Sequence, residues 1–252
     1  MWERLERLRR TFFDLKQITE VTPDLIWIGI PNTIVLAFIA VMIGLAAGLG
    51  LAMLLISRNR FLRWPARAYV DVFRGLPVVL TIYLIGQGLP IAGIRLFGQS
   101  AYGYAALALG LIEGAYMSEI FRSGIQSVGR GQLEAARALG LSYFHAMRLV
   151  VVPQGVRRVL PALTGQFIHV IKGSSLVYLL GLLPEQREIF SIASDASHFY
   201  ATLSPMVAGG VAYLVLTVPM TYAVNAFERR WNRSLESRGD RTLRRAGAVP
   251  QA

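Results

Sequence analysis

Several charged side chains lie inside long apolar stretches of this sequence, where they could contact a charged substrate. Arg74 follows Asp71 by three positions, Arg122 follows Glu119 at the same interval, and Glu113 has no partner nearby in the sequence. Arg74 could offer a guanidinium fork to a carboxylate, or it could pair with Asp71 on one helix face. Glu119 and Arg122 could form a similar pair at a helix end. Charges inside membrane spans generally mark functional paths.

A second polar cluster consists of Lys172, Ser174 and Ser175, near the end of another apolar stretch. An ammonium group and two hydroxyls can together hold a carboxylate. Alternatively, the lysine side chain extends along the span to reach the lipid headgroups. We therefore take Arg74, Glu119, Lys172, Ser174 and Ser175 as candidate residues of a substrate path.

Residue patterns for catalysis or metal binding are missing from the sequence. His145, His169 and His198 are too far apart to suggest a metal site, and we expect His169 to be a hydrogen-bonded packing residue. The serines between residues 191 and 197 lack the Gly-x-Ser-x-Gly pattern of a hydrolase. Cysteine and the His-Glu-x-x-His motif are also missing. The chain is therefore predicted to have no catalytic site and no metal site, and not to be an enzyme.

Composition places these residues in a membrane. The 252 residues are 54% hydrophobic and only 16% charged, whereas a soluble domain has roughly 25% charged residues. The uncharged runs Ile26–Ile56 and Phe199–Phe227 exceed the ~20 apolar residues that cross a bilayer. Two buried helices of a soluble core would not need runs of this length. The net charge of +11 then indicates basic loops beside the membrane and no nucleic-acid partner.

The sequence predicts an all-α membrane protein with five transmembrane helices. The fourth is the weakest, because the uncharged run between Arg158 and Lys172 is short, and the next run, Ser174–Leu183, is predicted to be a half-span. Residues 1–24 are predicted to form an amphipathic surface segment, and residues 232–252 a basic disordered tail. The transmembrane domain then covers residues 25–231, with spans at about 25–56, 68–90, 100–122, 155–172 and 203–227 and a loop at about 126–153.

The positions of the basic residues orient the chain. Most of the 26 arginines and lysines lie in segments 57–67 and 122–158 and in the tail after Phe227. Basic loops stay on the cytoplasmic side, so we expect the N-terminus outside and the C-terminus in the cytoplasm. The basic residues of the first 24 positions are the exception, and neighbouring acids partly offset them.

Small residues recur every fourth position in the first span, at Ala40, Gly44, Gly48 and Ala52. Such a stripe lets another helix approach closely, because lipid gives no hydrophobic drive for helix association. The stripe could serve contact with another subunit or packing within this one chain.

The segment 119–161 connects two spans on the predicted cytoplasmic side. Residues 132–139 are good helix formers, and Gly140 stands where a left-handed residue would end a helix. A short helix, a turn and an apolar run predict an exposed knob suited to the cleft of a cytoplasmic partner. These residues taken alone are equally compatible with a structural amphipathic linker.

The spacing of this segment resembles the EAA loop of ABC importer permeases. Glu134, Ala135 and Ala136 are followed by Gly140 and then, after nine intervening residues, by Val-Val-Val-Pro, where the family usually has Ile and Leu at two of the valines. Three further stretches are similar to motifs of the polar amino-acid permease subfamily, in the same order: YVDVFRGLPVVLTIYL, AYMSEIFRSGIQSVGRGQLEAARALGLS and VVPQGVRRVLPALTGQFIHVIKGSSL. The resemblance covers about Asn32–Trp231.

The resemblance implies a type I ABC importer permease in a plasma or bacterial inner membrane. Two permeases, identical or homologous, would form the pore, and an extracytoplasmic amino-acid-binding protein would deliver the substrate. A dimer of cytoplasmic ABC ATPases would dock on the coupling helices, where Glu134, Ala135, Ala136 and Gly140 would be the contacts. The chain has no Gly-x-x-x-x-Gly-Lys-Ser/Thr loop. We therefore expect it to bind no cofactor, with ATP and Mg used by the ATPase.

One departure from the subfamily concerns the substrate site. The subfamily more often has Lys-Asp-Thr-Ser-Leu where this chain has Lys172, Gly173 and Ser174, and the acid would face the substrate ammonium. The chain therefore binds its amino acid differently, is the non-binding half of a heterodimer, or relies on the binding protein for selection.

Two other classes of protein compete with an ABC permease. A secondary transporter or channel driven by an ion gradient could use Asp71, Glu113 and Glu119. A membrane enzyme would need a catalytic constellation, which the sequence lacks.

Overall fold

The computed structural model describes residues 1–98 and 100–246, with side chains up to residue 231, and this part of the chain is helical without strands. The all-α class is therefore confirmed. Short π and 3-10 turns interrupt or extend the α-helices. In chain order the α-helices are α1 (Trp2–Phe12), α2 (Leu15–Asp24), α3 (Ile30–Ile56), α4 (Arg60–Gly75), α5 (Val78–Tyr83), α6 (Leu89–Ile91), α7 (Ala101–Gln126), α8 (Arg130–Ala138), α9 (Tyr143–Ala146), α10 (Val152–Gly173), α11 (Ile189–Tyr200) and α12 (Ser204–Ala246).

The chain stays helical across the predicted boundary between the surface segment, residues 1–24, and the transmembrane domain, residues 25–231. α2 continues through a π-helical turn, Leu25–Gly29, directly into α3. Val21 of α2 is buried in a cluster with Ile189 of α11 and Ala208 of α12. Residues 15–24 therefore belong to the helix bundle, because their apolar face packs against later helices. α1, which has no buried residue, is the part that corresponds to the predicted surface segment.

The second predicted span, residues 68–90, is broken by a sharp bend. α4 already begins at Arg60 and ends at Gly75, and the helical pair Arg60–Gly75 and Val78–Ile91 is bent by 109°. Pro77 explains the break, since proline has no N–H and disfavours helical geometry at the residue before it. That residue, Leu76, is extended, at φ −82° and ψ 143°.

Length and apolar character mark two described stretches as able to cross a membrane, Trp2–Ile56 and Ser204–Trp231. The bent pair adds a third if it crosses as one unit. α7 and α10 have 26 and 22 residues, and both carry charged side chains within their length. The count of five spans therefore stays a prediction.

The end of α12 differs from the predicted tail. The helix continues to Ala246, whereas the sequence predicts disorder from residue 232. Extending an existing helix requires no new nucleus, so a polar segment can continue it more easily than it could form alone. Residues 247–252 of the predicted tail lie outside the described residues.

The small residues of α3 pack against α7 of the same chain. Gly44 and Gly48 are both buried. A Cβ placed on Gly44 would lie 2.8 Å from the Cβ of Glu113, and one on Gly48 would lie 2.8 Å from the Cβ of Met117. These separations are too short for two carbon atoms, so α3 and α7 touch at the level of their backbones. Of the two uses predicted for the stripe, packing within one chain is confirmed.

We expect Gly48→Leu to destabilise the chain by about 1–3 kcal/mol, the usual cost of overpacking. The new side chain would meet Met117 and the backbone of Ser118. Gly50→Leu is the matched control, because a Cβ there has no neighbouring atom within 4 Å. Thermal unfolding in nanodiscs should show a lower melting temperature for Gly48→Leu alone. Equal melting temperatures for the two variants would contradict the close α3–α7 contact.

Candidate functional site

α7 lies between α4 and α10, and polar contacts hold both neighbours to it. The hydroxyl of Tyr69 on α4 donates a hydrogen bond of 2.8 Å to the carbonyl of Leu111 on α7. On the other side, Nε2 of Gln166 on α10 donates to the carboxylate of Glu113 at 3.3 Å. The three helices carry most of the charged residues that the sequence analysis selected.

Arg74 does not pair with Asp71, so this predicted alternative is wrong. Asp71 instead accepts from Arg67, with 3.2 Å between Nε and Oδ1. A spacing of four residues on α4 brings these two side chains together. The guanidinium of Arg74 lies 5.4 Å from the ring centre of Tyr116 on α7, a cation–π distance. Arg74 is exposed and has no carboxylate within ion-pair distance among the described side chains.

Glu119 is bound by two arginines. Nε of Arg122 donates to its Oε2 at 2.7 Å, which confirms the predicted pair at the end of the helix. Nη1 of Arg67 on α4 also lies 3.6 Å from Oε1, a contact that the sequence did not predict. Glu119 is therefore neutralised from two helices, and a role in the substrate path stays a prediction.

Glu113 has partners on α10 that are far away in the sequence. Nδ1 of His169 lies 3.4 Å from its Oε1, in addition to the hydrogen bond from Gln166. His169 thus has a polar partner, as predicted, but its side chain is exposed and is not packed in the core. The Glu113 side chain is only 4% exposed, whereas that of His169 is 63% exposed. The imidazole therefore stands between a buried carboxylate and the open side of α10.

Lys172 lies one turn beyond His169 on the same helix and is exposed. The neighbouring hydroxyls are directed to their own backbone: Ser174 donates to the carbonyl of Ile171 at 2.7 Å, and Ser175 to that of Lys172 at 2.8 Å. Ser174 is fully buried, whereas Ser175 is partly exposed. Both hydroxyls thus have backbone partners, and the substrate role of these two serines stays a prediction.

The segment around α8 forms an exposed knob. Glu134 and Ala135 are exposed, and Ala136 on the opposite face is buried. Gly140 has φ of +86°, a left-handed geometry that reverses the chain after α8. The amide of Leu141 closes this turn by donating to the carbonyl of Ala136 at 3.2 Å.

A groove of about 950 Å³ runs along the knob. The guanidinium of Arg58 lies 5.3 Å from the ring centre of Tyr143 in its wall. Leu139 and Phe144 are exposed beside it. This combination of charged and apolar groups is suited to contact with another protein. The groove is lined by Arg58, Arg130, Leu133, Glu134, Arg137 and Tyr143.

Glu188 is a buried carboxylate that the sequence analysis missed. It caps α11 by accepting from the amides of Phe190 and Ser191, both at 2.6 Å, and it also accepts from the hydroxyl of Tyr213 on α12 at 2.9 Å. Burial raises the pKa of the Glu188 carboxyl, and these hydrogen bonds partly oppose the shift. The signal in the sequence was an acid immediately before the apolar start of α11. Glu188 ties α11 to α12 and has a structural role.

The chain matches the family described as "Binding-protein-dependent transport system inner membrane component" over residues 40–233. It belongs to this family. The match includes every candidate residue from Arg74 to Ser175 and the whole α8 knob. The chain is accordingly a permease component of a membrane transport system, with the helical fold of that family.

Two relatives align with this chain over nearly the whole of their own length. The chain is 33% identical over 206 residues to the probable glutamine ABC transporter permease protein GlnM of Bacillus subtilis, which spans 82% of this chain and 93% of the relative. It is 35% identical to the glutamate/aspartate import permease protein GltK of Escherichia coli O157:H7, over 86% of this chain and 98% of that relative.

Solved permease structures share the fold. A chain from the crystal structure of an amino acid ABC transporter with histidines matches with a TM-score of 0.74 and 33% identity, covering 86% of this chain and 98% of its own length. A chain of the inward-facing MetNI methionine ABC transporter matches with a TM-score of 0.69 at 20% identity, which shows the fold alone. The predicted type I permease architecture is thereby confirmed.

We expect Glu188→Gln to lower the free energy of unfolding by about 1–3 kcal/mol. The amide would keep one acceptor oxygen and turn an NH₂ group toward N–H and O–H donors. Glu185→Gln is the control, because that side chain is exposed. Thermal unfolding of the two variants in nanodiscs measures the difference, and an unchanged melting temperature for Glu188→Gln would argue against the cap.

Proposed function

We propose that this chain is the membrane-spanning permease subunit of an ABC importer for polar amino acids. The exposed α8 knob on a bundle of apolar helices is the observation that carries the proposal. Its outward face presents Glu134 and Ala135 beside the left-handed turn at Gly140. A permease of this kind needs an exposed docking surface, because the energy for transport comes from an ATPase outside the membrane.

A cytoplasmic ABC ATPase dimer is the partner proposed for the knob. The sequence has no phosphate-binding loop of the Walker type, so ATP and Mg would be used by that partner. α9 continues through a π-helical turn, Met147–Val151, into α10. Leu133 of α8 packs against a buried cluster that includes Met147 and Val151. Movement of the knob would therefore be transmitted directly to α10.

The same arginine distribution supports a cytoplasmic position for the knob, with the N-terminus outside and the C-terminus inside. An extracytoplasmic binding protein would deliver substrate at the opposite end of the bundle. A second permease, identical or homologous, would complete the path, since α10 leaves the polar side chains of His169 and Lys172 uncovered in a single chain.

Polar amino acids are the substrates that the relatives' names support. Those relatives are described as permeases for glutamine and for glutamate/aspartate. In this chain the guanidinium of Arg74 and the ammonium of Lys172 are the exposed groups that would bind the carboxylate of an amino acid. Glu119, Ser174 and Ser175 would contribute to the path less directly, because their polar groups already have partners.

We expect amino-acid uptake by proteoliposomes to require ATP, the ATPase and the binding protein. Glu134→Arg should reduce both ATPase association and uptake by about tenfold or more, because it reverses the charge on the exposed face of α8. Glu3→Arg in α1 is the control, since it reverses an exposed acid outside the knob. Uptake by the purified chain on an ion gradient alone would support a secondary transporter instead.

A second test uses the turn after α8. We expect Gly140→Leu to block transport while the permease stays folded, because a left-handed backbone costs a side chain about 1–2 kcal/mol and the leucine would obstruct docking. Gly93→Leu is the matched control: Gly93 has φ of +83° and equally open surroundings. Uptake rates and gel-filtration profiles compare the two variants. Normal uptake by Gly140→Leu would count against the coupling role.

A further inference from the structure

A cavity of about 350 Å³ lies where α3, α4 and α7 meet, and arginine side chains form most of its wall. Four guanidinium groups around one space of this size repel one another unless anions compensate them. We call this space the arginine cavity. It is lined by Leu55, Arg60, Arg63, Trp64, Arg67 and Arg122.

Two of these arginines are held by carboxylates of the chain itself. Arg67 binds Asp71 and also lies 3.6 Å from Glu119. Nε of Arg122 donates to Glu119 at 2.7 Å. These contacts fix two guanidinium groups in the wall of the cavity. Each guanidinium has five N–H donors, so both arginines keep donors for a further anion.

Arg60 and Arg63 have no such compensation. Both are exposed, and neither has a carboxylate within ion-pair distance among the side chains up to residue 231. Arg63 follows Arg60 by three positions, and Arg67 comes four positions later, so the three side chains share one face of α4. The arginine cavity therefore carries two positive charges that the described part of the chain does not balance.

The cavity lies close to the end of a membrane-crossing stretch. Trp2–Ile56 is long and apolar enough to cross a membrane, and Arg60 follows its end by four residues. Next to the arginines on α4, the side chains of Phe61 and Trp64 are 88% and 76% exposed. Tryptophan is enriched at the level of the lipid headgroups. Arginines beside exposed aromatic rings at this level are suited to a ligand that has both an anionic and an apolar part.

We propose that the arginine cavity binds the phosphate group of an anionic phospholipid. Guanidinium groups bind phosphate oxygens through paired, charge-assisted hydrogen bonds. Arg60 and Arg63 would hold the phosphate, and the remaining donors of Arg67 would add to these contacts. The acyl chains would extend past Phe61 and Trp64 into the bilayer. The bound lipid would thereby link the start of α4 to the ends of α3 and α7.

A lipid fits this site better than a soluble anion does. A free phosphate ion would contact the guanidinium groups but would leave the exposed rings of Phe61 and Trp64 in water. With the orientation proposed above, the cavity lies at the cytoplasmic leaflet, whose surface potential is negative. Basic pockets between transmembrane helices on that side are typical sites for anionic headgroups. The inference goes beyond the transport function and does not depend on which solute is carried.

Native mass spectrometry of the full chain, released from nanodiscs, tests the proposal. The nanodiscs contain equal amounts of phosphatidylglycerol and phosphatidylcholine. Both lipids have a phosphate group, but choline balances its charge in the second. We expect the chain to retain phosphatidylglycerol about tenfold or more over phosphatidylcholine, because two uncompensated arginines favour the anionic headgroup. Equal retention of the two lipids would overturn the proposal.

Two double variants separate the cavity from a general attraction between arginine and anionic lipid. Arg60→Gln combined with Arg63→Gln should bring the retention ratio close to one. Arg229→Gln combined with Arg230→Gln is the matched control, since it removes the same charge from exposed arginines near the end of the crossing stretch Ser204–Trp231. The control should keep the ratio of the unmodified chain. An equal loss in both double variants, or no loss in the first, would overturn the proposal.

Fluorescence quenching locates the lipid without any change to the arginines. Phosphatidylglycerol brominated near the headgroup end of its acyl chains should quench tryptophan emission more than brominated phosphatidylcholine, because it is bound beside Trp64. Trp64→Phe should abolish this difference. Trp27→Phe is the control, since that side chain is 79% exposed at another position, and the difference should remain. A difference that survives Trp64→Phe would contradict a lipid in the arginine cavity.

Glycerol 3-phosphate distinguishes a lipid site from a site for a soluble anion. This molecule has the phosphate group but no acyl chains, so an excess of it should not displace phosphatidylglycerol from the chain. Displacement would overturn the lipid as the occupant. Loss of ATPase association in the Arg60 and Arg63 double variant, with lipid retention unchanged, would assign these arginines to a protein partner instead. Amino-acid uptake is not a readout here, so failure of lipid binding and failure of the proposed importer function are separate results.

Discussion

An ionised group inside a helix bundle needs a compensating partner, and the arrangement around α7 follows from this constraint. Glu113 is bound by Gln166 and His169 from α10, and Glu119 is bound by Arg67 from α4. Each contact gives a carboxylate a hydrogen-bond or charge partner and also attaches a neighbouring helix to α7. The same pairs that make the carboxylates tolerable therefore fix where α4 and α10 stand.

The back of α7 is closed by a different kind of contact. Gly44 and Gly48 bring the backbone of α3 against α7, where a side chain would collide with Glu113 or Met117. Lipid gives no hydrophobic drive for this association, so close packing supplies the attraction. With α3 on one side and the charged pairs on the others, the face of α7 around Tyr116 is left open between α4 and α10.

Two backbone features connect this open face to the rest of the chain. The break at Pro77 ends α4, so that Arg74, near its last turn, lies beside Tyr116. The left-handed turn at Gly140 reverses the chain after α8 and leads through α9 into α10. α10 thus joins the exposed knob at one end to Lys172 at the other.

The local sequence determined the features that depend on residues close together. Uncharged runs predicted a helical membrane protein, the residues QLEAARAL with Gly140 predicted the α8 knob, and the spacing of Glu119 and Arg122 predicted their pair. Each follows from helix geometry over a few residues. The motif spacing likewise indicated the permease family.

Other features depended on the way in which the helices pack. Asp71 had two arginines within reach along α4, and only the packed structure placed Arg74 over Tyr116 and left Arg67 as the partner. Glu113 lacked a partner in the sequence because His169 comes from another helix. A hydropathy pattern specifies which segments are helical but not which faces meet. Tertiary structure alone therefore decided which charges are paired and which stay exposed.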